Sequence, residues 1–351
     1  MASLSLDDAA VESLADFAAA QEDWCRLAGR SDNVFSTWEW AELWWRHFGT
    51  RGSLTLARIR VGDEVVAVLP LYTARRTGLR MARLVGHGVA DQLGPVCDAG
   101  HFELALSALA QAHHADLLLA ERLPSERLTE AVGGSVLRDE ASPMISISRE
   151  GEWEAYLGQR SANFRQQVRR RARKVAGAGV RFRLVSEPAQ LPTALDALIA
   201  LHRARWGERS RAFAGERERF HREFAALALE RHWLRLWMAE ADGQPVAAWY
   251  GFRFADVDYF YQSGRDPSWD RYRVGAALLE HTMRDAFADG MREYRLLRGD
   301  EAYKQRYASE TRTVGTVAFA RRPAARGLVS LARGLSRAHS GRALLRRAVG
   351  G

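Results

Sequence analysis

The stretch Tyr259-Phe260-Tyr261-Gln262-Ser263-Gly264-Arg265-Asp266-Pro267-Ser268-Trp269-Asp270-Arg271-Tyr272-Arg273-Val274-Gly275-Ala276-Ala277 reads as a strand, a loop and the start of a helix. Small residues fill the first helical turn at Gly275, Ala276 and Ala277, so its backbone amides lie bare. A helix N-terminus presents unpaired N–H groups and a positive dipole end. An anion there gains about 0.3–1 kcal/mol per charge interaction, and more when shielded from water. A pyrophosphate fits that chemistry, and Arg271 and Arg273 add full charges to the same mouth. Small residues also let a helix pack closely on a sheet, and an isolated turn of this kind favours that plainer reading. The setting tips the balance toward phosphate: an antiparallel meander precedes the turn, and the strand-like Glu293–Arg298 and the run Gly299–Lys304 follow it.

The elements that must hold this turn can be read around it. Residues 234–240, 245–254 and 257–263 alternate as strands, with turn residues at Asp242-Gly243 and Ala255-Asp256. A helix is expected over 274–288, ended by Gly290, then a strand over 292–298, a short helix over 300–308 and a strand over 313–320. Upstream, helices are expected over 191–206 and 213–229 and a strand over 180–185. Another helix starts at Ser161 and stops before Gly177 and Gly179, with Phe164, Val168 and Val175 on one face and a run of arginines elsewhere.

The first half of the chain carries a helix over 6–29, from the stripe Leu6, Val11, Leu14, Phe17 and Trp24. An aromatic cluster follows, with Ser36 or Thr37 placed to cap a helix bearing Trp40, Leu43, Trp44 and Phe48. Two strands, 54–61 and 64–72, meet at Gly62-Asp63. Residues 85–95 read as a loop, 102–114 as a helix, 116–120 and 144–148 as strands. His87 and His202 read as packing or surface histidines.

These residues together resemble a known family. The chain from Phe35 to Ala320 is similar to the CelD-type (BioF-like, cellulose-biosynthesis-protein-like) branch of the GNAT acetyltransferases, a branch related in architecture to the Fem-type peptidyl transferases. The matching positions are Phe35, Trp40, Trp44 and Trp45 at the aromatic opening, Leu69-Pro70-Leu71 at a strand end, and Asp91 in a loop. Ser161, Arg165, Arg169 and Arg170 match on the basic helix, and Asp266, Pro267, Trp269, Tyr272 and Gly275 ahead of the small turn. The most specific match is Leu297-Arg298-Gly299-Asp300 with Tyr303-Lys304. Two positions depart: Arg273-Val274 stands where the family has Ser-Pro, and Arg295 where an aspartate is common.

The resemblance implies an α/β (α+β) fold of tandem GNAT-like lobes, each a mixed, mostly antiparallel sheet flanked by helices. The expected divisions are 1–155, 156–320 with the basic helix 160–176, and a tail 321–351. It implies an acyl-CoA-dependent N- or O-acyltransferase, in which an amine or hydroxyl attacks the thioester directly. Acetyl-CoA or another acyl-CoA would lie on Tyr261, Gln262, Ser263, Arg271, Arg273, Val274, Gly275, Ala276 and Ala277, the strand amides around Tyr261–Ser263 polarising the carbonyl. Tyr303 and Asp300 are the catalytic candidates, with Glu301 and Tyr307 behind them; Tyr303 equally reads as a packing aromatic. Asp91, Arg165, Arg169 and Lys304 are the substrate-binding candidates, with Arg170 beside the two arginines as a grip on an anionic substrate such as a sugar phosphate, against the plainer readings of a loop aspartate and a solvated basic face. A role in polysaccharide or cell-envelope synthesis is part of the same expectation. A Fem-like aminoacyl transferase using aminoacyl-tRNA, and an accessory protein that kept the fold without the chemistry, are the other readings.

Composition narrows the field. The chain has 351 residues, more than the ~100–200 of one domain, so two lobes are expected. Its 47% hydrophobic and 27% charged content are those of a globular protein. Two cysteines, Cys25 and Cys97, form no metal or disulfide pattern, and no metal is expected. The net charge of +8 comes from residues 321–351, whose eight arginines meet no acidic residue; positions 1–320 hold 43 of each sign. A balanced body argues against DNA binding. The tail mixes its arginines with leucines, which suits either an amphipathic helix on an anionic membrane or a floppy segment. With no secretory start and no apolar run of membrane-span length, a cytoplasmic location is expected.

Overall fold

The computed structural model describes residues 9–76, 78–112, 114–128, 134–147 and 152–334. The chain divides into two compact units, one made of residues 1–142, 298–300 and 312–351, the other of 143–297 and 301–311. The elements of the first are β1 (Ala9–Leu14), α1 (Phe17–Ser31), α2 (Trp38–Phe48), β2 (Ser53–Val61), β3 (Glu64–Arg76), β4 (Leu79–Leu84), β5 (Val96–Cys97), α3 (Phe102–Ala112), β6 (Leu117–Pro124) and most of β7 (Ser135–Ser146). The second holds the end of β7, α4 (Trp153–Gly158), α5 (Ala162–Gly177), β8 (Arg181–Leu184), α6 (Leu191–Trp206), α7 (Glu216–Glu230), β9 (Leu234–Ala241), β10 (Gln244–Phe254), β11 (Val257–Arg265), α8 (Val274–Ala288), β12 (Glu293–Arg295) and α9 (Ala302–Tyr307). The chain then returns to the first unit in β13 (Glu310–Ala320).

Both units are mixed α/β. In the first the strand order is β1-β2-β3-β4-β6-β13, antiparallel except for β4 beside β6, with β5 added on β3. In the second the end of β7 is followed by β12-β11-β10-β9-β8, antiparallel except for β11 beside β12. The expected mixed, mostly antiparallel sheets flanked by helices are present in each.

The first helix differs from its sequence reading. The stripe over 6–29 predicts a single helix, but Ala9–Leu14 is a strand paired with β2 from Ala9↔Val61 to Leu14↔Leu56. The helix begins only after Asp16, whose side chain accepts from the Ala19 amide at 2.9 Å. Val11 and Leu14 fit either period locally; a partner strand some 45 residues away decides between them. The strand read over 144–148 begins nine residues earlier, at Ser135, and residue 148 lies outside the described residues.

The turns of the second unit follow from their residues. Asp242 and Gly243 lie at φ 49° and 75°, and Ala255 and Asp256 at 48° and 59°. Positive φ at both central residues gives a twist that matches the strands of a tight hairpin. Gly264 is required for a different reason: a Cβ there would run into the backbone of Leu201 and His202, so α6 lies directly on β11.

The tail is described in part. Residues 323–334 are helical, and Ala325 and Val329 are buried against Leu117 and Ala318 of their own unit. Arg322 Nε lies 2.8 Å from Asp116, while Leu328 and Leu331 stay exposed. Residues 335–351 lie outside the described residues.

Candidate functional site

The second unit contains a cavity of about 730 Å³ against the first turn of α8. Its geometry begins at β11. That strand pairs with β12 only through Val257, Asp258 and Tyr259, because β12 ends at Arg295 and the chain turns away through Leu297 at φ 59°. No described strand pairs with that side of β11 beyond Tyr259. The register against β10 also slips between Tyr250 and Gly251, so that Tyr261 is an extra residue on β11. Bulges of this kind re-aim side chains. Phe260, Ser263, Gly264 and Arg265 line the cavity, while the Tyr261 phenol lies 3.4 Å from His221 Nε2 of α7.

The mouth is formed by the turn before α8. Arg273 holds the N-cap position in the left-handed region, φ 57°, and supplies no side-chain cap. The amides of Ala276 and Ala277 donate to its carbonyl at 3.0 and 3.1 Å. For the amides of Val274 and Gly275 there is no acceptor among the described residues. Two donors and the dipole end of a four-turn helix therefore meet at the cavity, the arrangement that holds phosphate.

Cations surround them. Arg170, Arg171, Lys174, Arg205, Arg265, Arg271, Arg273 and Arg306 line the cavity, against one carboxylate among the described residues, Asp270. Arg265 is paired with Asp270 at 2.5 Å, a contact that holds the aspartate below the usual carboxylate range. Arg271 and Lys174 both lie over the Tyr272 ring, and the Lys174 ammonium donates to the Arg271 carbonyl. Arg205, from the end of α6, donates to Ser263 Oγ at 2.9 Å; burial, then repulsion from Arg265, favours its neutral form more than usual.

Deeper in the wall lies a buried group of three. Arg171 Nε reaches both oxygens of Glu280 at 3.0 and 3.2 Å, and the Tyr307 hydroxyl donates to Glu280 Oε1 at 2.6 Å. Burial pushes the Glu280 carboxyl up in pKa, opposed by Arg171. This group ties α5, α8 and α9 together. Beside it, the half-buried Tyr303 lines the cavity, and burial followed by the charge of Glu301 pushes its phenol well above the ordinary value. At neutral pH Tyr303 is therefore protonated and able to donate.

The sequence candidates are distributed unevenly. Ser263, Arg271, Arg273, Gly275, Ala276 and Tyr303 line the cavity; Val274 and Ala277 are buried behind it, and Tyr261 and Gln262 are not part of its lining. Arg165 donates to the carbonyls of Gly158 and Arg160, and Arg169 pairs with Glu154 at 3.0 Å, so the inward face of α5 is that of Arg170, Arg171 and Lys174 instead. Lys304 is buried with its ammonium 3.1 Å from Glu301. Asp91 and Asp300 belong to the first unit, where Arg298 Nε donates to Asp91 at 2.7 Å. Arg205, Arg265 and Arg306 were not singled out in sequence; Glu280, a lone acid in the apolar run after Ala277, is the one missed residue with a readable signal.

Similarity to known proteins bears on this arrangement. Residues 162–305 match the acetyltransferase (GNAT) domain family. That match takes in α5, the meander, α8 and the start of α9, the elements that build the cavity. No curated protein sequence matches the chain. Among solved structures, FemX superposes with a TM-score of 0.64 at 12% identity, over 91% of this chain and 99% of that one. The C-terminal domain of an Agrobacterium fabrum protein named as a lysylphosphatidylglycerol synthetase gives 0.58 at 13%, over 89% and 96%. L-PGS from Bacillus licheniformis gives 0.52 at 11%, over 88% and 97%. At such identities these likenesses show the fold alone. The GNAT domain marks the second unit as a transferase module.

Proposed function

We propose that the GNAT domain is an acyl-CoA-dependent N- or O-acyltransferase with its donor in the α8 cavity. The observation that carries this reading is the pair of acceptorless amides at Val274 and Gly275, opening among cations beside the unpaired edge of β11. The coenzyme's pyrophosphate lies on those amides with Arg271 and Arg273, and its pantetheine arm runs along β11 toward Tyr303. The acceptor's amine or hydroxyl adds to the thioester carbonyl, and β11 amides stabilise the oxyanion. Collapse expels the thiolate, which takes the phenolic proton of Tyr303; the acceptor's own proton leaves to solvent and another restores the phenol. Asp300 remains a proposed proton-transfer group and Lys304 a proposed substrate-binding residue.

The experiment is calorimetric titration with acetyl-CoA of the wild type and of Gly275→Trp. A side chain at 275 extends toward Arg265 and fills the phosphate turn. Micromolar binding by the wild type that falls at least 100-fold in a folded Gly275→Trp is the expected result. Absence of wild-type binding to acetyl-CoA and to longer acyl-CoAs would sink the proposal.

The cationic lining favours one second reading, a donor that is itself a nucleic acid. Aminoacyl-tRNA binding in the absence of coenzyme A binding would replace the first reading by this one. Arg295, the departure from the CelD-type pattern, is buried against Glu293 at 2.7 Å and over the Tyr259 ring, and it does not line the cavity. The CelD-type resemblance carries the narrower reading, service in polysaccharide or cell-envelope synthesis. Exposed Leu328 and Leu331 beside Arg326 and Arg333 support peripheral contact with an anionic membrane. Each arginine near such a surface contributes about 1 kcal/mol. Replacing Arg326 and Arg333 by serine is expected to weaken co-sedimentation with phosphatidylglycerol vesicles roughly tenfold or more; unchanged sedimentation refutes the contact.

A further inference from the structure

Two of the cavity's arginines have no counterpart on the donor. The pyrophosphate end is served by the turn before α8, where Arg271 and Arg273 stand and Lys174 donates to the Arg271 carbonyl. Arg265 is taken by Asp270, the one carboxylate in the lining among the described residues, Arg171 by Glu280, and Arg205 donates to Ser263 Oγ. Arg170 and Arg306 also line the cavity, and neither makes an ion pair with a described residue.

Two helices set the place of these cations. On α9, Arg306 follows Tyr303 by three residues, so the two share a face, and both line the cavity. On α5, Arg170 follows Gln167 by three residues, and Gln167 Oε1 accepts from Arg306 at 2.8 Å. The Arg306 guanidinium also lies 5.7 Å from the centre of the Phe164 ring. Lys174, which meets the phosphate turn, is four residues from Arg170, about 6 Å along the helix. Along α5 the cavity therefore runs from the phosphate turn at Lys174, past Arg170, to Gln167 with Arg306 and the face of Tyr303.

The Tyr303 side is where the thioester lies in the acyl-CoA reading. A pantetheine arm brings only amides and a thioester to that side, all of them neutral, so nothing on the donor matches two guanidinium ions. Like charges held together without a counter-ion oppose the compact state. Their anion arrives with the acceptor, whose nucleophile must reach the same carbonyl.

We propose that Arg170 and Arg306 hold a phosphate group on the acceptor, so that the molecule acylated is the amine or alcohol of a phosphate monoester. Two guanidinium forks from different helices suit a doubly charged phosphate, where one fork would satisfy a carboxylate. A phosphate fixed between α5 and α9 leaves the acceptor's other end to turn toward Tyr303 and the thioester, which is the orientation the transfer requires. This rests on the acyl-CoA reading and adds the acceptor class to it.

The test is calorimetric titration of the full chain already saturated with coenzyme A, so that the phosphate turn is filled. The titrants are glucosamine-6-phosphate and phosphoethanolamine, each against its unphosphorylated amine, with β-alanine as a carboxylate counterpart. The proteins are the wild type, Arg170→Ala, Arg306→Ala and the control Arg173→Ala. Arg173 is exposed on α5 and does not line the cavity. Wild type and control are expected to bind a phosphorylated amine roughly tenfold or more tightly than the unphosphorylated one. Arg170→Ala and Arg306→Ala are expected to bring that ratio toward one while leaving the affinity for coenzyme A unchanged. Coenzyme A binding without any preference for a phosphorylated amine would overturn the acceptor assignment and leave the acyl-CoA reading standing. Weakened coenzyme A binding in the two variants would return these arginines to the donor. Binding of β-alanine as tight as that of phosphoethanolamine would replace phosphate by carboxylate, and an equal loss in Arg173→Ala would reduce the effect to general charge. Failure of the wild type to bind coenzyme A would overturn the acyl-CoA reading and this assignment with it.

Discussion

Arg171→Ala is expected to destabilise the protein by about 3–5 kcal/mol at neutral pH, the cost of stripping one partner from a buried ion pair. Glu280 is 5% exposed, so solvent cannot readily replace the guanidinium. The remaining Tyr307 hydrogen bond cannot neutralise its charge. The pH dependence carries the diagnostic sign. Burial already raises the folded pKa of Glu280, and losing Arg171 raises it further. For such an acid the folded state binds the proton more tightly. The variant's deficit is therefore smallest below the unfolded carboxylate range, where both states are protonated, and grows as pH rises through the folded pKa. Urea unfolding at a series of pH values measures it. Replacing the group as a whole, with Arg171→Met, Glu280→Leu and Tyr307→Phe combined, is expected to recover most of the loss. A deficit below about 1 kcal/mol for Arg171→Ala at neutral pH would show that the pair is solvated.

Tyr303→Phe is expected to lower kcat for acyl transfer by about 10²–10⁴ while the KM for acyl-CoA changes little. The ring is conserved in this substitution, so its packing against the α8 core is kept and the thermal midpoint should hold. Release of free thiol from acyl-CoA follows the reaction. Because the wild-type phenol is held above its ordinary pKa, activity limited by its proton should persist into alkaline buffer. Equal kcat in the two proteins would return Tyr303 to a packing role and leave Tyr307, bonded to Glu280, as the phenol to examine.

The parts of this molecule that sequence announces are those fixed by neighbours in the chain. The meander is marked by its two positive-φ turns, α5 by the Ser161 cap, which accepts from the Phe164 amide at 3.3 Å, and α8 by its small first turn before a long apolar run. The bare amides of the turn before α8 are legible for the same reason. What escaped was set by distant partners. Strand β1 needs β2 to exist, and its apolar spacing suits a helix equally well until that partner is known. On α5 the arginines at 165, 169, 170 and 171 are indistinguishable by type. Their inward phase is chosen by Glu280, 109 residues away, which leaves Arg165 and Arg169 facing outward. Arg205 reaches the cavity only because Gly264 allows α6 to lie against β11.

The crowding of arginines around the α8 turn has a thermodynamic side. Like charges held together oppose the compact state, and eight cations facing one carboxylate place that opposition in the core of the second unit's function. Burial first, and then repulsion from Arg265, push the pKa of Arg205 down. A polyanion entering the cavity relieves the repulsion only in the folded chain, so its binding free energy is added to the free energy of folding. If the proposed polyanionic donor binds there, its supply and the protein's lifetime are linked: a cell short of it would hold a less stable pool of this protein.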